Sequence, residues 1–137
     1  MTHNHTVSVT MESVDAVGIA FFAAYWNWFE QAFEGFIAAA SGSTWSETVE
    51  SGLAVPVVHA EIDYLRPLRL SDEVTVQLRL VKTGRRSLDF EARYLADGEP
   101  VAVARTVHVV TTRGDLSPAA IPAWMHEAVE PRSPDRG

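Results

Sequence analysis

Two periods of apolar residues divide this chain. From Phe22 onward, apolar side chains recur at steps of three and four: Phe22, Trp26, Phe29, Phe33, Phe36 or Ile37, and Ala40. That period places them on one face of an α-helix. Tyr25, Trp28 and Ala32 widen the apolar part, and Asn27, Glu30, Gln31 and Glu34 form a polar stripe. A helix buried on most of its sides is expected. "SGST" at 41–44 should end it, with Gly42 as the C-cap. "TWSETVES" then reads as a short second helix, capped by Thr44 or Ser46.

The rest of the chain follows a period of two. "HTVSVTM" sets Val7, Val9 and Met11 against Thr6, Ser8 and Thr10, a strand signal, and the loop 12–18 after it ends in Gly18. After Gly52, "AVPVVHAEIDYL" places Val58, Ala60, Ile62 and Tyr64 on one face and His59, Glu61 and Asp63 on the other. "EVTVQLRLV" and "SLDFEARY" alternate in the same way, and "PVAVARTVHVVT" is apolar on both faces, as a central strand should be. Pro67, Ser71-Asp72, Gly84 and the hairpin dipeptide Asp97-Gly98 separate these runs. "PAAIPAW" opens a short helix. One long apolar helix against about five antiparallel strands is an α+β architecture. The boundaries predict a single domain over 1–128 and a frayed tail over 129–137. Apolar residues left over after one helix has covered one sheet point to a partner subunit.

Composition narrows the chemistry. The chain has 137 residues, 47% apolar and 21% charged, with a net charge of −7. A core is affordable at that size, and the acidic balance argues against a nucleic-acid binder. An anionic ligand must meet a local basic cluster. No cysteine is present, so disulfides, thiolate metal sites and a cysteine nucleophile are excluded. The polar N-terminus does not read as a signal peptide, and the apolar run Ala20–Trp26 is far shorter than a membrane span of roughly 20 residues. A soluble cytoplasmic protein is expected.

There is no G-x-S-x-G, no P-loop and no G-x-G-x-x-G. His59, Glu61 and Asp63 share a strand face at about 6–7 Å spacing, too far apart to grip one ion easily, so no metal is expected. Glu30 and Glu34 stand one turn apart on the helix, where like charges repel unless something uses them. "KTGRRS" is the densest positive patch: Lys82, Arg85 and Arg86 surround Gly84 on a predicted hairpin, either a solvated turn or a phosphate grip. Asp15 stands alone before the long helix. It can be a helix cap or an Asx-turn. It can equally act on a carbonyl whose oxygen rests on the helix N-terminal amides. Spacing does not choose between these roles.

"VDAVGIAFFAAYWNWFEQAFEGF" resembles the start of the 4-hydroxybenzoyl-CoA thioesterase family of hotdog-fold proteins. Asp15, Gly18, Phe21-Phe22, Tyr25 and Trp28-Phe29 carry the likeness, supported by "VPVVHAEIDYLRPLRLSDEV" and "GRRS". The resemblance covers roughly residues 5 to 125. It implies a long central helix wrapped by an antiparallel sheet, homodimers at least, often homotetramers as dimers of dimers, and active sites at the subunit interface. It implies hydrolysis of an acyl-CoA thioester, with an aromatic acyl group because no His follows the loop aromatic. CoA would then be substrate and product, with no separate cofactor. Asp15 falls on the catalytic carboxylate, Gly18 on the loop glycine, and Phe22 on the position whose backbone N–H polarises the carbonyl. Glu30 falls near the acyl pocket, and because another branch uses a helix Glu as its carboxylate, Glu30 and Glu34 are also reserve candidates for that role. Lys82, Arg85, Arg86 and Ser87 fall at the hairpin that meets the CoA phosphates. The alternatives are a thioesterase for carrier-protein-bound acyl chains, a hotdog dehydratase or hydratase, and a non-catalytic acyl-CoA binder.

Overall fold

The long helix, α1, runs from Phe22 to Ser41. Ala24, Tyr25, Trp28, Phe29, Ala32, Phe33, Phe36 and Ile37 are its buried residues, the stripe that the three-and-four period marks out. The helix stops where the backbone turns left-handed. Gly42 takes φ 74°, and its amide donates to the Ala38 carbonyl at 3.0 Å. A glycine meets that conformation without a Cβ clash. The short helix α2, Trp45–Glu50, is capped by Thr44. The Thr44 hydroxyl accepts from the Glu47 amide at 3.1 Å, and the Glu47 carboxylate accepts from the Thr44 amide at 3.0 Å. This reciprocal pair satisfies two orphan donors and selects Thr44 over Ser46.

This computed structural model describes residues 1–130. Its strands are β1 (Thr2–Ser8), β2 (Leu53–Ala54), β3 (Val57–Tyr64), β4 (Glu73–Thr83), β5 (Ser87–Ala96), β6 (Glu99–Val109) and β7 (Thr111–Thr112), followed by the helix α3 (Ala123–Glu127). Five of them form one antiparallel sheet in the order β1-β4-β5-β6-β3, and β2 pairs with β7. Asp97 and Gly98 both have positive φ, 53° and 75°, the two-residue turn that the right-handed twist of a hairpin favours. The core lies between α1 and the inner sheet face, where Val74, Val76, Leu78 and Leu80 of β4 and Leu88, Phe90, Ala92 and Tyr94 of β5 are buried. Phe36 meets Phe90 edge-on with ring centroids 5.2 Å apart.

Three details differ from the reading of the pattern. The first strand lies earlier, at Thr2–Ser8, and Met11 is 80% exposed at the head of a 3-10 turn. The ladder ends because Val9 is diverted to the 71–72 turn: its amide donates to the Asp72 carbonyl, and its carbonyl accepts from the Ser71 amide. Second, β3 has the expected alternation but not the expected burial. Val58 is 60% exposed and Tyr64 46%. The helix lies over β1 and β4, so the edge strand β3 stays uncovered. Third, the tail expected from residue 129 is still tied at Glu130, whose amide donates to the Leu80 carbonyl at 2.8 Å. The remainder of that predicted tail, 131–137, lies outside the described residues.

Truncating Phe36 to Ala removes a fully buried ring from the helix–sheet contact. A loss of about 3–5 kcal/mol is expected from denaturant unfolding, with an unchanged m-value.

Candidate active site

Asp15 sits in a loop that bonds to itself before delivering the chain into α1. Its amide donates to the Ile19 carbonyl at 2.9 Å and its carbonyl accepts from Gly18 at 3.0 Å, with Gly18 at φ 81°. Its carboxylate accepts from the Val17 amide at 2.9 Å and the Ile19 amide at 3.2 Å. Of the roles open in the sequence, the Asx-turn is therefore filled and the helix cap is not. The N-cap position belongs to Phe21, which makes no side-chain cap bond. Both backbone bonds land on Oδ1, so Oδ2 has no hydrogen-bond partner among the described residues, and the side chain is exposed.

The consequence for α1 is an open N-terminus. The first amides of a helix have no intrahelical partner, and no side chain caps them here. Phe22, the first helical residue, is 71% exposed. Tyrosines fix this turn in place. The Tyr64 hydroxyl, on β3, donates to the Phe22 carbonyl at 3.2 Å. The Tyr94 hydroxyl, on β5, donates to the Tyr25 carbonyl at 2.7 Å. Tyr25 meets Tyr64 and Tyr94 edge-on at 4.9 and 5.4 Å. Burial pushes the Tyr94 hydroxyl well above the usual tyrosine range, so it stays a donor. Phe22, Tyr25, Tyr64 and Leu65 line a cavity of about 350 Å³ at this end of the helix.

Glu30 is elsewhere. It lies eight residues further along α1, about 12 Å from Phe22 at the helical rise. It lines a second cavity, of about 360 Å³, with Phe33, Trp45, Val55, His108 and Arg113 among its walls. The rings of Phe33 and His108 are parallel within 3° at 5.0 Å, and Trp45 meets Phe33 edge-on at 5.8 Å. His108 is 1% exposed. Its Nδ1 lies 3.0 Å from the Val55 carbonyl and its Nε2 2.9 Å from the Thr106 hydroxyl. A carbonyl can only accept, so Nδ1 carries the proton and Nε2 accepts from Thr106. Burial lowers the His108 pKa below its ordinary value, opposed by the bond to Val55.

The basic hairpin occupies a third location. Lys82, Arg85 and Arg86 are exposed, and the Gly84 amide donates to the Ser87 carbonyl at 2.8 Å. A Cβ on Gly84 would come within 2.4 Å of the Ser87 hydroxyl, which would have to rotate away. The Asp15 loop abuts the start of β4: Leu70 donates to the Gly18 carbonyl, and Ile19 bridges to Arg69. The hairpin lies past the far end of that 11-residue strand, about 33 Å away. A single chain thus groups Asp15, Gly18 and Phe22 and separates them from Glu30 and from Lys82, Arg85, Arg86 and Ser87. His59 and Glu61 stay on the exposed outer face, 3.6 Å apart, and no metal-holding group of three side chains occurs among the described residues.

A profile of the Thioesterase-like superfamily spans residues 9–129. The chain belongs to that superfamily. Among relatives of this thioesterase, a 1,4-dihydroxy-2-naphthoyl-CoA hydrolase of Synechococcus elongatus is 34% identical over 96 residues, covering 69% of this chain and 71% of the relative. Its counterpart in Crocosphaera subtropica is 32% identical over 114 residues, 80% of each chain. Among solved structures, a dynemicin thioesterase superposes with a TM-score of 0.83 at 26% identity, covering 94% of this chain and 95% of the other. A 1,4-dihydroxy-2-naphthoyl-CoA thioesterase from Synechocystis shares the fold with a TM-score of 0.83 at 20% identity, over 94% and 96% of the two chains. The protein is a hotdog-fold thioester hydrolase.

Sequence reasoning passed over Tyr64, Trp45, His108 and Arg113. For His108 a signal existed: the alternation Ala102, Ala104, Thr106, His108 places it on the inner face of β6. The partners of the other three come from distant segments.

A histidine with a lowered folded pKa adds stability that is complete above the unfolded value of 6.5 and is lost as pH falls toward the folded value. Melting temperature is therefore expected to drop as pH falls from 6.5 toward the carboxylate range. His3, also lowered by burial, contributes in the same direction. In His108→Phe the drop should shrink to the His3 share, read by thermal melts across that window.

Proposed function

We propose that this thioesterase hydrolyses an aromatic acyl-CoA to the free acid and CoA, at a site completed by a second copy of the chain. The observation that carries the reading is the placement of an exposed carboxylate, Asp15, in the loop that leads into an uncapped helix N-terminus. The thioester carbonyl oxygen accepts from the Phe22 amide, where the helix dipole favours developing negative charge. Asp15, held by its Oδ1 bonds with Oδ2 turned to solvent, attacks the carbonyl carbon or takes a proton from the attacking water. On the first route the carbon–sulfur bond breaks to leave an Asp15 acyl anhydride, which a water then hydrolyses. On the second the water oxygen bonds to the carbon as the carbon–sulfur bond breaks. On both the departing CoA sulfur takes a proton that comes from water and leaves as the thiol. Gly18 lets the loop turn, and Tyr64 and Tyr94 keep the first helical turn in register with the sheet.

The second copy follows from the edge strand. One side of β3 pairs with β6, and the other presents unpaired backbone groups beside exposed Val57, Val58, Tyr64 and Leu65. Pairing two β3 strands about a two-fold axis is antiparallel, so the Val57 end of one meets the Tyr64 end of the other. Phe22 and the first cavity lie at the Tyr64 end. Glu30, the second cavity and the basic hairpin lie at the Val57 end, since Val57 pairs with His108 and His108 with Leu88. The carboxylate of one protomer then faces the aromatic cavity and the cations of its partner. Lys82, Arg85, Arg86 and Ser87 serve the CoA phosphates, and Glu30 borders the acyl group. This joins groups that lie far apart in one chain. A tetramer as a dimer of such dimers fits the same scheme, and a cytoplasmic location is part of the proposal.

Asp15→Asn keeps the Oδ1 bonds and removes the charge. It is expected to fold normally and to lose about 10²–10⁴-fold in CoA release from a benzoyl-type thioester. Turnover like that of the native enzyme would sink the role given to Asp15. Arg85→Ala with Arg86→Ala should raise KM for acyl-CoA and leave KM for a truncated pantetheine thioester unaltered. Equal KM changes for both would remove the hairpin from the site.

A further inference from the structure

The loop after β7 is built around one carboxylate. Asp115 Oδ1 accepts from the Thr112 hydroxyl at 2.6 Å and from the Ser117 amide at 3.1 Å. The Thr112 amide donates to the Ser117 carbonyl at 2.9 Å. The Thr112 hydroxyl first, then the Ser117 side chain and amide, hold the Asp115 carboxyl down to about 2, so the loop keeps its latch throughout the neutral range. Within this latched loop, Leu116 has φ 56° and is 58% exposed. A bulky residue rarely adopts the left-handed conformation, and no glycine or asparagine stands there to make it easy. Such residues cluster where a side chain is held for a task.

Leu116 and Arg113 both line the second cavity. Aromatic rings are among the other lining residues: Phe33 stacks on His108, and Trp45 meets Phe33 edge-on. His108, 1% exposed and stacked on Phe33, backs that side of the cavity as a neutral ring with both nitrogens committed to Val55 and Thr106. The volume, about 360 Å³, lies in the range of small-molecule sites, about 300–1,000 Å³. The charged residues of the lining are Glu30 and Arg113, with no ion pair between them within 4.0 Å. An apolar cavity with aromatic side chains and an exposed cation, Arg113, in its lining fits a ring bearing an oxygen substituent.

We propose that the Thr112–Ser117 loop is the acyl-selecting element of this thioesterase: Leu116 closes the cavity on a flat ring, and Arg113 donates to a ring hydroxyl oxygen. The inference rests on the reading that a thioester reaches this cavity from Asp15 of a second copy. The latch of Asp115 keeps both side chains presented, and the strained backbone at Leu116 places its side chain on the ring edge. Selection is therefore set by a short loop remote from the reacting carbon, and the loop can change without disturbing the carboxylate or the helix start.

The test uses CoA release by the full chain with benzoyl-, 4-hydroxybenzoyl-, 2-naphthoyl-, hydroxylated 2-naphthoyl- and hexanoyl-CoA. Arg113→Gln should cut the kcat/KM preference for hydroxylated over plain rings by about tenfold, through KM. Leu116→Gly relieves the backbone and should cut the preference for ring over hexanoyl substrates by about tenfold. Variants that scale every substrate by one factor, or leave both preferences unaltered, overturn the loop's role while leaving the thioesterase reading intact. No CoA release by the native chain from any of the five overturns both. Arg113 and Leu116 are exposed, so folding is not at stake in either variant.

Discussion

One helix cannot cover a five-stranded sheet. α1 lies over β1 and β4, and its apolar stripe reaches the inner faces of β5 and β6, but β3 is left bare. Burial of the stripe is the main stabilising term, at roughly 25 cal/mol per Å² of apolar surface. The same geometry that makes the core leaves an edge strand with exposed Val57, Val58, Tyr64 and Leu65, and a cavity at each of its ends. The rest of the proposed enzyme depends on that incomplete coverage. Were the face of β3 covered by a helix of its own chain, the exposed apolar residues that border both cavities would not be there for a second copy to meet.

Chemistry enters where α1 begins. Helix starts are usually closed by a side-chain oxygen, as Thr44 closes α2. The start of α1 is not. Asp15, the nearest acid before it, spends one oxygen on the Val17 and Ile19 amides, which fixes the loop and directs the other oxygen outward. Rigidity of the helix start comes from Tyr64 and Tyr94, which bond carbonyls of its first turn and leave its amides untouched. An uncapped N-terminus that is held from the carbonyl side is preorganised for an oxyanion at little further cost.

Local rules were legible in the sequence. The limits of α1, the left-handed Gly42, a cap at Thr44 or Ser46 and the Asp97-Gly98 turn all depend on residues within a few positions of one another, and the structure selects Thr44. The α+β architecture followed from the change of period. What escaped was non-local. The alternation in 5–11 looked like one strand, and only the pairing of Val9 with Ser71 and Asp72 shows where it breaks. The pattern of β3 was right, yet its exposure depends on how far α1 reaches. Both cavities join segments far apart in sequence, as do the Tyr64–Phe22 and Tyr94–Tyr25 bonds, which span 42 and 69 positions. Asp15 stood out as a lone acid, and family resemblance, not spacing, gave it a chemical role.

In the proposed dimer each site takes its carboxylate from one copy and its basic hairpin from another. This arrangement is tested most directly by refolding Asp15→Asn protomers together with Arg85→Ala, Arg86→Ala protomers and measuring CoA release at low acyl-CoA concentration. The mixture is expected to exceed the sum of the two separate variants, because half of the sites in each mixed dimer regain both an intact Asp15 and an intact hairpin. Activity equal to that sum, in a preparation shown to contain mixed dimers, would contradict it.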